Sequence, residues 1–449
     1  MKIIVFDDDP TGSQTVHDCL LLLNWDYKNL LNALKSNNNI FFVLANTRSL
    51  SEEEVEIRLK DICNSLKNVI TNEGFNKKDF LFISRGDSTL RGHNFLEPDI
   101  INNILGPFDA TFHIPAFLEG NRITKNGIHY VNDLPAHKTI FAKDKIFGYQ
   151  TSDIKTLLIK KSKHKIAIEK IHNLTHKDLD SLESYENDKL YKRLINLEDN
   201  THVIVDTISY PQLKRFCSTV KEILPKKSFL FRTAASFISA ISDIQHNYKN
   251  GKYYSQLRRK NQFEQPLNGL IVVGSYVPIA TDQLKKILEN KECRPLEINV
   301  FEFNKILQIP DNDGMETLKK DLLKQIRNYL KNSYTPIIYT SRDLMYFDDE
   351  KKQIKFFNIL ALFIAKLISE IKLEIGYLIS KGGITTNTIL SKSLGVNYVY
   401  LEGQILSGIS LVSAELENVP HPLPIVTFPG NIGDENSLVK VWQIMENKV

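Results

Sequence analysis

Cysteine is scarce in this 449-residue chain: Cys19, Cys63, Cys217 and Cys293 are far apart and form no Cys-x-x-Cys pair. That spacing argues against a structural zinc site or a disulfide framework and points to a reducing compartment, the cytoplasm. Long apolar runs are missing too. The greasiest stretch, FFNILALFIAKLI at 356–368, is too short and too interrupted to span a bilayer and reads as a buried helix. At the start of the chain acids arrive at Asp7, before a signal peptide could develop. Charge of one sign is in little excess, with 57 basic against 53 acidic residues and a formal net charge of +4. That leaves no nucleic-acid footprint, although the slight positive bias suits an anionic small substrate.

Several catalytic signatures are absent as well. No G-x-x-x-x-G-K-[ST] occurs, which excludes a P-loop, and the lack of G-x-G-x-x-G weakens a dinucleotide reading. H-E-x-x-H, H-x-x-E-H and the G-x-S-x-G nucleophile elbow are missing. His93, His113, His129 and His137 have the wrong spacing for a helical metal pair and read as structural or surface histidines.

What is present is the pattern of a two-domain α/β protein. A chain of 449 residues is too long for one core. IIVF (3–6), CLLLLNW (19–25), IFFVLA (40–45) and FLFIS (80–84) read as strands. Between them lie helical patterns, the longer opened by a Ser51/Glu54 capping box and striped by Val55, Leu59, Ile62, Leu66 and Val69. Alternating strands and helices predict a mainly parallel sheet flanked by helices, with ligands beyond the carboxyl ends of its strands. That rule puts DDDPTG, NTRS and SRGDSTLRGH on one rim. Residues 151–200 are Lys-rich and less patterned, with KIAIEKI (165–171) as a strand. The polar stretch 246–266 reads as a solvated linker, so the expected domains are 1–262 and 263–449. The second repeats the α/β pattern with LNGLIVVGS (267–275), PIIYTS (336–341) and YLIS (377–380).

Asp7, Asp8 and Asp9 stand side by side directly after the first apolar run, in DDDPTG. Like charges that close repel, so the cluster suggests a cation, a polyol or a phosphoryl group nearby. SRGDSTLRGH (84–93) is the densest polar cluster: Arg85 and Arg91 offer planar forks suited to a carboxylate, and Asp87 and Ser88 can take hydroxyl groups. The plainer alternative is a salt-bridged loop that merely closes its strand. Three strand-to-Gly turns, VVGS (272–275), ISKGGITTN (379–387) and VTFPGNIGDENS (426–437), could aim free N–H groups at an anion, though each alone is often just a turn.

Taken in order, ten stretches resemble the four-carbon acid sugar kinases. They are DDDPTGSQTVHD, NTRS, SRGDSTLRGH, NRITKNGIHYV (121–131), FRTAASF (231–237), VVGSYVP (272–278), YTSRDL (339–344), SKGGITTN (380–387), EGQILSGI (402–409) and FPGNIGDENSL (428–438). The resemblance implies a sugar-acid-binding domain followed by a nucleotide-binding domain without a P-loop, with the active site in the cleft between them. It further implies transfer from ATP, with Mg2+, to a hydroxyl of a threonate-, erythronate- or oxo-tetronate-like acid. The family's ATP contacts carry over to Ser275, to Gly382, Gly383, Ile384 and Thr385, and to Gly430. Two departures, the Pro10-containing three-Asp motif and Arg85 where many members have Lys, lie on the acceptor side.

On that reading Asp8 takes the acceptor hydroxyl's proton or hydrogen bond, with Asp87 as second candidate. Arg85 and Arg91 clamp the carboxylate, Ser88 and Thr11 order hydroxyls, and Asp7 also belongs to the substrate site. The metal ligands stay open, as does the choice between monomer and homodimer; no nucleic-acid or membrane partner is expected. Two other readings compete. One is a haloacid-dehalogenase-like, magnesium-dependent phosphatase built on Asp7 and Asp9, whose later motifs are missing. The other is a non-catalytic sensor of sugar acid or nucleotide.

Overall fold

The apolar runs of the sequence pair, in register, as strands of β-sheets. The structure is a computed structural model that describes residues 1–10, 16–180, 189–244, 249–309, 313–342 and 350–448. The chain divides into two compact units, Met1–His246 and Asn247–Val449.

In the first unit β1 (Lys2–Asp7), β2 (Cys19–Leu22), β3 (Ile40–Leu44), β4 (Phe80–Arg85) and β5 (Ala110–Ile114) come first. A small antiparallel sheet follows, β6 (Arg122–Lys125), β7 (Ile128–Val131) and β8 (Leu134–Pro135), then β9 (Ile171–Leu174), β10 (Thr201–Val205) and β11 (Phe229–Thr233). The main sheet runs β2-β3-β1-β4-β11-β5-β10-β9, with every pair parallel. Such strands are buried on both faces and so read as continuous apolar runs. The predicted stripe on the helix Glu52–Asn72 packs into the core beneath β1, β3 and β4, and both arms of its Ser51/Glu54 capping box are made.

Because β1 lies between β3 and β4, the strand order reverses at the middle of the sheet, which opens a crevice at the carboxyl ends. Register aligns Asp7 with Leu44 and Arg85, and Arg85 with Thr233. The turns that carry chemistry leave from that one rung.

The second unit contains β12 (Leu270–Val273), β13 (Cys293–Ile298), β14 (Thr335–Thr340), β15 (Leu378–Lys381), β16 (Tyr398–Leu406), β17 (Ile409–Ala414) and β18 (Leu423–Phe428). Its order is β13-β14-β12-β15-β18-β17-β16; the first five are parallel, and β17 is antiparallel to both neighbours. FFNILALFIAKLI lies in the helix Glu350–Ile371 and buries Phe356, Leu360, Phe363, Ile364, Leu367 and Ile368. Among the described residues no helix is long and apolar enough to cross a membrane.

Two local expectations need correction. The stretch read as a solvated linker contains the helix Gly251–Gln256, whose Tyr254 is buried in the second unit's core and donates to the Gln404 carbonyl at 2.7 Å. One aromatic anchor outweighs the polar average. KIAIEKI is not a strand until its last residue: Ile168 is exposed in a short helical turn, and β9 begins at Ile171.

Candidate active site

The first unit's rim is built on the end of β1. The Asp7 carbonyl accepts N–H bonds from Ala45 and Asn46 at 2.9 and 3.0 Å, and the Asp8 carbonyl accepts from Arg48 at 3.2 Å. These bonds seat the turn after β3 against β1, with Asn46 left-handed at φ 50°. Arg48 then grips Asp8 with two donors, at 2.7 and 3.0 Å, and stands 3.4 Å from Asp9. From β4, Arg85 Nη1 donates to Asp8 at 2.9 Å and more weakly to Asp7 at 3.4 Å. Asp8 is thus closed between two guanidinium groups. Asp7 is fully buried, and among the described residues its Oδ2 has no partner. Burial pushes its carboxyl up to about 7, against the pull of Arg85 and with a further push from Asp8 and Asp9.

The 84–93 loop is held just as firmly. Asp87 accepts from Arg91 Nε at 2.8 Å and from the Thr89 hydroxyl, with Arg48 3.9 Å away. Burial alone would raise its pKa, but Arg91 and Arg48 hold it well below the usual carboxylate range. The Thr89 carbonyl accepts from Tyr149 at 2.6 Å, and the Ser88 carbonyl lies 2.8 Å from the buried His129 ring nitrogen. Burial lowers that imidazole to about 4, so it is neutral at pH 7. Gly86 is required by close approach: a Cβ there would lie 2.5 Å from the Arg232 guanidinium, which is itself fixed by Glu97 at 2.8 Å and Ser84 at 2.7 Å.

Arg122, at the start of β6, donates to Ser88 Oγ at 2.6 Å and lies over the rings of Phe117 and Phe141. Among the described residues no carboxylate reaches it within 4.0 Å, and its Nε is buried without a partner. Burial, and then Arg91, Arg85 and Arg48 around it, lower its pKa against the pull of Asp87.

The structure therefore brings Asp7, Asp8, Arg85, Asp87, Ser88 and Arg91 together, while Thr11 lies outside the described residues. The forks of Arg85 and Arg91, read from the sequence as a clamp for a ligand carboxylate, are engaged by the protein's own aspartates. Arg91 also stands 3.6 Å from Asp144. Sequence reasoning missed Arg48 and Arg122. Both lie inside stretches it singled out, NTRS and NRITKNGIHYV, and the strand-end rule could have flagged Arg48.

In the second unit the three glycine turns leave neighbouring strands at one level, since Val273 pairs with Lys381 and Lys381 with Phe428. Gly274 and Ser275 donate to the Lys381 carbonyl at 3.1 and 3.3 Å, and Gly382 donates to that of Phe428 at 2.9 Å. A Cβ on Gly274 would meet Thr385 Oγ1 at 1.9 Å, and one on Gly430 would meet Ser275 Oγ at 2.5 Å. Gly382 adopts φ 119°, which favours glycine, and its own Cβ would lie 3.1 Å from the Ser275 nitrogen. Ser275, Gly382, Thr385 and Gly430 therefore converge. Gly383 opens the helix Gly383–Lys392, whose first-turn amides have no partner within the helix, and Ile384 beside it is exposed. The arrangement is a cradle of N–H groups suited to an anion. Lys381 and Arg342 border it, and sequence reasoning missed both.

A family model described as the sugar-binding N-terminal domain matches residues 3–241, more than half of the chain. A second, the nucleotide-binding C-terminal domain, matches residues 270–438. The chain belongs to the four-carbon acid sugar kinase family. It is similar to a D-erythronate kinase from Heliobacterium modesticaldum, 24% identical over 218 residues that cover 46% of this chain and 47% of that one. The match thus spans about half the length of this curated relative. Among solved structures, a Salmonella typhimurium LT2 protein proposed to be a tRNA synthase superposes with a TM-score of 0.69 at 14% identity, over 98% of each chain. A Haemophilus influenzae protein of the DUF1537 family gives 0.62 at 16% identity, over 99% of this chain and 100% of the other. Both likenesses concern the fold, and they agree with the two-domain α/β architecture expected of a four-carbon acid sugar kinase.

Proposed function

We propose that this protein is an ATP-dependent kinase that phosphorylates a hydroxyl of a four-carbon sugar acid of the threonate, erythronate or oxo-tetronate type. The observation that carries the reading is the pairing, in one chain, of a sugar-binding and a nucleotide-binding domain. The similarity to a D-erythronate kinase supports it.

The first unit's residues then divide the labour. Arg122 holds the acid's carboxylate, because among the described residues it has no carboxylate within 4.0 Å, and Ser88 beside it orders a hydroxyl. Asp87 has a little open surface, 9% against none for Asp8, so it takes the hydrogen bond or proton of the acceptor hydroxyl. Phosphoryl transfer through a loose transition state asks more for positioning than for a strong base, which suits a carboxylate of low pKa. Asp8, between Arg48 and Arg85, fixes those two cations; Asp7 sits beneath them, out of contact with solvent.

In the second unit Ser275, Gly382 to Thr385, and Gly430 receive ATP. Magnesium would neutralise phosphate charge when bound. Among the described residues no group of three or more His, Cys, Asp or Glu side chains is arranged to hold a metal ion.

The test is ADP release from ATP and magnesium across a panel of four-carbon acids, each beside the matching polyol. Turnover is expected with one acid and not with its polyol. Arg122→Gln should raise KM for that acid about 10- to 100-fold, the loss of one charge-assisted contact, while KM for ATP stays the same. Equal turnover of acid and polyol, or an unchanged KM for the acid, would remove the assignment.

A further inference from the structure

Lys381 ends β15 with no exposed surface at all. Its Nζ donates to the Pro429 carbonyl at 3.0 Å and stands 3.8 Å from the centre of the Phe428 ring. Arg342, two residues beyond β14, donates through Nη1 to the Ser275 carbonyl at 2.6 Å. Its Nε and Nη2 are buried and have no partner among the described residues. Among the described residues neither cation has a carboxylate within 4.0 Å, although Glu297 acts on Arg342 from farther away. Buried charges are ordinarily paired, because an ion taken from water without a counter-ion is strongly unfavourable. Here two cations flank Ser275 and the residue before Gly430. Burial first, and then the Arg342 charge, bring the Lys381 ammonium down to about 7.

We infer that Lys381 and Arg342 bind the phosphate chain of the nucleotide and that the ligand is the counter-ion these two residues lack. The inference rests on the nucleotide reading of the second unit and extends it. The glycine turns offer only the partial charges of amides, whereas Lys381 and Arg342 place an ammonium and a guanidinium group beside the same turns. Carbonyl bonds hold each residue at the edge of the cradle and leave further donors free to turn to an anion.

The experiment is isothermal titration of ATP and of adenosine into wild type, Lys381→Met and Arg342→Lys, with melting temperatures of the ligand-free proteins. Methionine fills the same apolar space without charge. Lys381→Met is expected to bind ATP about 10- to 100-fold more weakly, to bind adenosine within about twofold of wild type, and to melt no lower than wild type. Arg342→Lys keeps one donor for Ser275 and loses the fork, so ATP should weaken while adenosine does not. Unchanged ATP affinity in both variants would overturn the inference. So would equal loss of ATP and adenosine, or a lowered melting temperature for Lys381→Met, since those mark a merely structural lysine. Failure of wild type to bind either ligand would instead overturn the nucleotide reading itself, and this inference with it.

Discussion

Asp7 and Asp8 are adjacent in the chain but sit in different electrostatic environments. Asp8 takes the closest contacts of Arg48 and Arg85; Asp7 keeps a 3.4 Å contact with Arg85, a 3.3 Å bond from the Asp9 amide and, among the described residues, an oxygen with no partner. The consequence is a pH dependence of stability. The folded carboxyl of Asp7 is raised from 3.8 to about 7, so between those values the folded state binds a proton that the unfolded chain does not. Stability from this group is complete below about pH 4 and is lost as pH rises through 7, by an amount on the order of a few kcal/mol. Asp7→Asn, neutral and of the same shape, should flatten that slope: measured by thermal melting, the variant gains on wild type between pH 5 and pH 8. A difference that does not change with pH would contradict the assignment. At this scale the sequence revealed the residues that cluster in it, Asp7, Asp8, Arg85, Asp87, Ser88 and Arg91. Arg48 and Arg122 were not legible because their partners lie 40 and 34 positions away, and only the folded sheet brings them together.

At the scale of elements, the turns after β12, β15 and β18 depend on close backbone approach. Gly274 faces Thr385 with no room for a methyl group. Gly274→Ala should therefore push the two turns apart, destabilise the protein by about 1–3 kcal/mol and weaken nucleotide binding. Adding Thr385→Ala should recover part of the melting temperature, because the closest clash is with the hydroxyl oxygen. No recovery in the double variant would mean that the strain lies elsewhere. Elements whose apolar pattern is regular were readable, such as the buried strands and the helix Glu52–Asn72 with its cap. Those that rely on a single anchor were not. Tyr254 turns a polar stretch into a packed helix, and the exposed Ile168 imitates a strand where a turn exists. A contact with Gln404, 150 positions away, decides the first case, and a local turn bond from the Lys170 amide to the Ala167 carbonyl closes the second.

For the molecule as a whole, the ordered run of motifs from Asp7 to Leu438 was more informative than any single one. Each glycine turn alone is ambiguous; two α/β units with mainly parallel strands, matched by a sugar-binding and a nucleotide-binding family model, are not. On the proposed reading the identity of the acid was not legible, because it would depend on side chains that several turns bring together, among them Arg85, Ser88 and Arg122. The central claim, phosphoryl transfer from ATP to a four-carbon acid, is tested most directly by phosphorus-31 NMR. The protein would be incubated with ATP, magnesium and each acid in turn, with Asp87→Asn in parallel. The account predicts one new phosphomonoester resonance, coupled to a carbon-bound proton of one acid, growing as ADP appears and much slower to grow in the variant. Inorganic phosphate as the sole new product, or no ester with any four-carbon acid despite bound ATP, would contradict it.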